Sequence, residues 1–147
     1  MAYPKPEQGL VIRYSFLWRS EAAQGREEGR KDRPCAVVLA VTREDERTQV
    51  LVAPVTHTPP AAGSPAIEVP AQTKQRLGLD QERSWIVADE LNLFTWPGPD
   101  VRLIDKQDAE RGIAYGYLPD KTTRQLVQAV REQIKSGRTK AVRRDEA

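Results

Sequence analysis

Residues 33–58 read RPCAVVLAVTREDERTQVLVAPVTHT, and the fold turns on how this stretch is divided. CAVVLAV (35–41) is a continuous apolar run, rich in valine and entered through a proline, which favours a strand over a helix. TQVLVAPVT (48–56) is a second such run, and the charged REDER (43–47) between them reads as a turn. The two runs are therefore predicted to pair as an antiparallel hairpin. A roughly symmetric turn near Glu44–Glu46 would bring Arg33 and Thr56, with 22 residues between them, side by side at the free ends. His57 follows Thr56, and strict alternation would turn it to the opposite face unless the strand has already ended.

Working outward, GLVIRYSFLW (9–18) places Leu10, Ile12, Tyr14, Phe16 and Trp18 at every second position, the pattern of one strand face. RSEAAQGREEGRKDR (19–33) has no periodicity and carries charges of +5 and −4, and is predicted to be a long mobile loop inserted between the first two strands. THTPPAAGSP is loop, AIEV a brief strand, and PAQTKQRLGLD one or two helical turns closed by Gly78. SWIVADE predicts another strand. LNLFTWPGPD, which contains Pro-Gly-Pro, is expected to leave regular structure, with VRLI resuming it. LPDKTTRQLVQAVREQIKSG sets Leu126, Val127, Val130 and Ile134 at helical spacing, with Asp120 or Thr122 as the starting cap and Gly137 as the end. Residues 137–147 lack apolar content and predict a basic, disordered tail; from Lys135 onward the local charge is +3. The expected class is mainly β with α: a small barrel of five to seven strands spanning 1–136, with one short internal helix and a C-terminal helix.

Composition narrows the function classes. Hydrophobic residues make up 39% of the 147, enough for one modest core. Lys+Arg number 23 against 21 Asp+Glu, so the net charge of +2 gives no general basic surface. The single cysteine excludes an intramolecular disulfide and a cysteine-rich zinc site. No apolar run is long enough to span a bilayer, and MAYPKPEQG has no apolar region behind its lysine, so a cytoplasmic location is expected. There is no glycine-rich phosphate loop, no His-x-x-x-His pair and no serine elbow. Neither a metal nor a cofactor is expected.

Metal-free chemistry on Arg, His, Thr and carboxylates stays open, and RNA cleavage needs little more because RNA supplies its own 2′-OH nucleophile. Arg33 reads either as a guanidinium forking onto a phosphate or as a solvated loop arginine. His57 is either a general acid or base or a surface residue beside a Pro-Pro loop. Asp89 and Glu90 either hold a turn through backbone amides or contribute a catalytic carboxylate. Trp18, Trp85 and Trp96 either stack on bases or fill the core.

The order of these pieces resembles the PemK/MazF family of toxin–antitoxin ribonucleases. The resemblance rests on the strand opening after Gly9, on Ser20-Glu21, on Arg33-Pro34 leading into an apolar strand, on Pro54-Val55-Thr56, on Asp89-Glu90 where the family has Asp-Gln, and on Gly116-Tyr117-Leu118 before the last helix. It runs from about residue 8 to 135. It implies an SH3-like barrel, a homodimer, and a cognate antitoxin whose acidic segment covers the RNA surface. The implied activity is metal-independent, sequence-selective cleavage of single-stranded RNA to a 2′,3′-cyclic phosphate and a 5′-hydroxyl. By the same resemblance Arg33 would stabilise the phosphorane, Thr56 would bond a phosphate oxygen or the reacting hydroxyl, and Glu21 or Asp89 would orient or deprotonate the 2′-OH. His57 joins this set on chemistry alone. Arg19, Arg26, Arg30, Lys31 and Trp96 are the expected RNA-binding residues. The chain departs from the family pattern in its longer 19–33 segment, in Val87 and Glu90, and in TWPGPDVR. A non-catalytic SH3-like module binding nucleic acid or protein is the alternative reading.

Overall fold

The computed structural model describes residues 3–26, 29, 31–139 and 141–145. Its elements run β1 (Leu10–Tyr14), α1 (Arg19–Ala23), β2 (Arg33–Thr42), β3 (Thr48–Thr56), β4 (Ala66–Glu68), α2 (Ala71–Leu77), β5 (Trp85–Val87), β6 (Leu91–Thr95), β7 (Ala114–Tyr117), α3 (Asp120–Lys135) and β8 (Ala141–Arg143). A single 3-10 turn at Ala109–Arg111 precedes β7.

The hairpin forms as the sequence predicts. β2 and β3 pair antiparallel from Cys35↔Pro54 to Thr42↔Thr48, and a bulge between Val37 and Leu39 shifts the register by one. The bulge has a consequence for burial. Val37 and the bulged Val38 are both buried, on opposite faces; after the bulge, Leu39 and Val41 are 46% and 49% exposed. β3 is the hub of the sheet, because its first half also pairs with β6 and its end pairs with β5 through Val55↔Ile86 and Thr56↔Trp85. The main path is β4-β5-β3-β2-β1-β7, with β8 added parallel to β6. Among the described residues no ladder closes this path into a ring. The class is thus mainly β with α, as expected, but among the described residues it comprises eight strands in an open, branched sheet and three helices.

Apolar groups cover both faces. Leu10, Ile12, Tyr14 and Phe16 meet Val37, Val50, Val52 and Phe94 on one side. Val11, Ala36, Ala53, Val55 and Ile86 meet Leu77 of α2 and Leu126 and Val130 of α3 on the other. Gly9 is the point where three elements converge: its N–H donates to Val37 O, its carbonyl accepts from the Leu118 N–H, and a Cβ there would lie 2.6 Å from Thr123 Oγ1. Its φ of +89° is the second reason that glycine stands there.

Four expectations are corrected. The segment 19–33 is not loop throughout: it opens as α1, where the Glu21 carboxylate accepts from the Trp18 N–H at 3.1 Å and closes the first turn. LNLFT is strand β6 rather than irregular chain. Its Asn92, fully buried, exchanges both amide bonds with the backbone of Leu17 (2.9 and 2.8 Å), so a polar residue satisfies itself inside the core. The tail supplies β8, which the parallel pairing Leu91↔Ala141 to Leu93↔Arg143 fixes to β6. Finally, α3 follows an N-cap of Pro119 without a side-chain cap, and its buried stripe is Thr122, Leu126, Val130 and Gln133, with Ile134 turned outward. No helix among the described residues is long and apolar enough to cross a membrane.

Candidate active site

The hairpin register, carried two residues beyond Cys35↔Pro54, sets Arg33 across from Thr56. On its other edge Arg33 pairs with Tyr14 at the end of β1. The chain leaving β1 then turns into α1, and this turn lays the Trp18 ring under the Arg33 guanidinium at 4.9 Å. Arg33 Nε is buried without a hydrogen-bond partner, and no ion pair among the described residues engages the guanidinium. Burial works against the charge and lowers its pKa, while the nearby Glu21 carboxylate acts the other way; an arginine in this setting stays cationic. A half-buried cation stacked on an indole, with donors unspent, is an anion-binding element.

Two depressions meet at Arg33. One, of about 480 Å³, is lined by Trp18, Lys31, Arg33, Thr56, Thr58 and Pro59 among others. The other, of about 260 Å³, adds Pro34, His57, Lys74 and Asp80 around the same Arg33 and Thr56. The Thr56 hydroxyl accepts from the Thr58 N–H at 3.2 Å, which leaves its own proton to donate. That same bond marks the end of the strand, so His57 is released from alternation and lines the cavity with Thr56.

His57 lies between two carboxylates, of which one hydrogen-bonds it. Its Nε2 lies 2.6 Å from Asp80 Oδ2, and its Nδ1 lies 3.4 Å from the exposed Glu82 carboxylate. The other Asp80 oxygen accepts from the Lys74 ammonium, whose side chain is only 6% exposed. Lys74 also reaches the Glu82 carbonyl and Ser84 Oγ, so three donors meet three acceptors. For Asp80, partial desolvation pushes the carboxyl up, but the hydrogen bonds from Lys74 and His57 outweigh it and hold the group below the usual carboxylate range. His57, Asp80 and Glu82 bring three ligand-type atoms within 4.8 Å of one another. The Lys74 ammonium on Asp80 would repel a divalent ion there, so the set suits hydrogen bonding better than coordination.

No protein-family model and no curated protein matches this chain.

Of the expected site residues, Arg33, Thr56 and His57 come together, and Lys31 joins them as an exposed cation on the rim. Glu21 lies close by, lining a third depression with Trp18, Lys31 and Arg33. It is buried and committed, however, to the Trp18 N–H and to Arg26 at 3.8 Å. Arg19 is spent on Glu90, which takes both its backbone N–H (2.9 Å) and its Nε (3.2 Å). Asp89 is placed elsewhere: it sits in the β5–β6 turn, lines none of these depressions, and its carbonyl accepts from Thr139 Oγ1. Trp96 is likewise removed from the site. Its N–H bonds Thr48 O at the opposite end of β3 from Thr56, some eight residues or about 26 Å away along a strand, and its ring packs edge-on to Tyr3 and against Phe94. Arg30 lies outside the described residues. Trp18, rather than Trp96, is the aromatic partner of the cation. Asp80, Glu82 and Lys74 had no signal in the sequence beyond Gly78, whose left-handed turn (φ +73°) sends LD back toward the end of β3.

Proposed function

We propose that this chain is a metal-independent endoribonuclease of the PemK/MazF kind, the toxin of a toxin–antitoxin pair. The observation that carries this reading is the juxtaposition of Arg33 and Thr56 at the open end of the hairpin, with the guanidinium stacked on Trp18 and its Nε unpaired. A scissile phosphate seated there would meet the guanidinium fork on one side and the Thr56 O–H on the other. As the 2′-oxygen attacks, charge builds on the non-bridging oxygens, and preplaced donors stabilise it without reorganising. Trp18 and Lys31 extend the surface toward a neighbouring base and phosphate, the combination that single-stranded RNA requires. An mRNA substrate implies a cytoplasmic site of action. A cognate antitoxin would inhibit by laying an acidic segment over Arg33 and Lys31, and a homodimer would double the RNA surface.

The test is cleavage of single-stranded RNA by the purified protein with EDTA present. The expected products carry 2′,3′-cyclic phosphate and 5′-hydroxyl ends. Arg33→Ala should lower kcat by about 100- to 1000-fold, as expected for loss of a donor to the developing charge. RNA left intact by folded wild-type protein would refute the reading. A second reading, a module that binds RNA without cutting it, is favoured by one feature: Glu21, the carboxylate nearest Arg33, is committed to α1 and Arg26. It predicts RNA retention without new 5′-hydroxyl ends.

A further inference from the structure

With Glu21 engaged and Asp89 elsewhere, the Arg33–Thr56 pair lacks an evident proton acceptor. We infer that His57 is that acceptor, and that Asp80, itself anchored by the buried Lys74, is the residue that positions it. The inference rests on the ribonuclease reading above and assigns to it a proton-transfer group.

The geometry is that of a hydrogen-bonded relay leading into the cavity. Lys74 donates to Asp80 Oδ1, and His57 Nε2 donates to Asp80 Oδ2 at 2.6 Å. A carboxylate accepting at Nε2 fixes the proton there and leaves the lone pair on Nδ1. Lys74 matters because three contacts hold its ammonium in place, so Asp80 cannot follow the imidazole when the ring moves. His57 lines the 260 Å³ cavity together with Arg33 and Thr56, so an RNA phosphate bound there sits beside the ring. Glu82, 3.4 Å from Nδ1, is 71% exposed and free to swing aside when RNA enters. The charged groups facing the ring are thus Asp80 and Glu82 directly, Lys74 behind Asp80, and Lys31, Asp32 and Arg33 across the cavity.

The 2′-OH proton passes to His57 Nδ1 as the 2′-oxygen–phosphorus bond forms. The phosphorus–5′-oxygen bond breaks, and the leaving oxygen takes a proton from water. The hydroxide so formed recovers the proton from the imidazolium, which returns to neutral. No oxidant, metal or further reactant enters.

His57 is the only histidine in the chain, so its ring is observable alone by 15N NMR, independently of activity. The neutral ring should appear as the Nε2–H tautomer in the wild type and lose that preference in Asp80→Asn. A 2′-deoxy oligonucleotide, which cannot be cut, should shift the His57 resonances. In single-turnover cleavage, His57→Ala should lower kcat by about 100-fold or more and abolish the rise of rate with pH that a histidine base imposes. Asp80→Asn should lower kcat at least about tenfold while leaving KM within about threefold, as expected for a positioning residue. His57 is about half exposed, so its alanine variant should fold and lose only the stability of the single bond to Asp80. A His57→Ala enzyme that keeps wild-type kcat and pH profile, while Arg33→Ala is inactive, overturns this inference and leaves the ribonuclease reading intact. A wild-type protein that binds the deoxy oligonucleotide without moving the His57 resonances also overturns it. Wild-type protein that cleaves no RNA overturns both.

Discussion

Arg33 and Asp80 show how differently two residues of one site are fixed. Arg33 is legible in the sequence because its place follows from the hairpin: an apolar run, a charged turn and a second run put it opposite Thr56. Asp80 is not, because it reaches His57 across 23 residues, through the left-handed turn at Gly78 and a lysine buried beneath it. Neither spacing nor periodicity encodes that approach. Its titration has a consequence for stability. The folded state holds the Asp80 carboxyl below its usual range, chiefly against desolvation and through Lys74 and His57, so the unfolded chain binds the proton more readily. Stability from this group is complete above the pKa of an unfolded aspartate, about 3.9, and is lost as pH falls through the lower folded value. Urea midpoints measured from pH 6 to pH 2.5 should therefore converge for wild type and Asp80→Asn at the acid end and diverge above it. Cys35 makes the opposite point. It lies two residues from Arg33, yet burial pushes its thiol up and keeps it neutral, so the cation does not activate it. A thiol reagent should modify the native protein only as fast as the protein unfolds.

At the scale of elements, strands that announce themselves by composition were legible and strands defined by their partners were not. β1, β2 and β3 carry large apolar residues in a pattern that few other structures accommodate. β6 is obscured by the Pro-Gly-Pro that follows it and by Asn92 in its middle, a residue that only the backbone of Leu17 makes acceptable there. β8 is three residues with no apolar pattern, and it exists because Arg144 follows it. The Arg144 side chain is 2% exposed and donates to Ser15 O (2.6 Å), Asn92 Oδ1 (3.0 Å) and Asp100 Oδ1 (3.0 Å), with Tyr14 beneath it. The basic composition that suggests a solvated tail thus hides one buried cation that joins β1, β6 and the Asp100 turn. Arg144→Ala removes the close cation from the buried Asp100 carboxylate, which keeps Arg102 at 4.0 Å, and one of the two bonds on Asn92 Oδ1, and should cost about 3 kcal/mol. Denaturant unfolding reads this directly, since a solvated tail arginine would cost less than about 0.5 kcal/mol.

For the whole molecule, the distribution of charge matters more than its sum. A net charge of +2 cannot steer RNA from a distance, and acidic groups are interleaved with the basic ones around the site. Arg19 is paired with Glu90 and Arg26 with Glu21, while Asp32, Asp80 and Glu82 stand near the cavity. Of the cations at the candidate site, Arg33 and Lys31 are the two that no ion pair among the described residues engages. Affinity for RNA must then come from a few close contacts and from stacking on Trp18 rather than from a broad electrostatic field. The salt dependence measures this. Each phosphate neutralised on a single strand contributes about −0.7 to the slope of log K against log salt, so two cations predict a slope of about −1.4. Binding of the 2′-deoxy oligonucleotide between 50 and 300 mM salt should give a slope near that value, and Lys31→Gln should halve it. A slope steeper than about −3 would mean that at least four phosphates are neutralised. Cations beyond the Arg33 groove would then have to share the RNA, and the site would be larger than the two depressions that meet at Arg33.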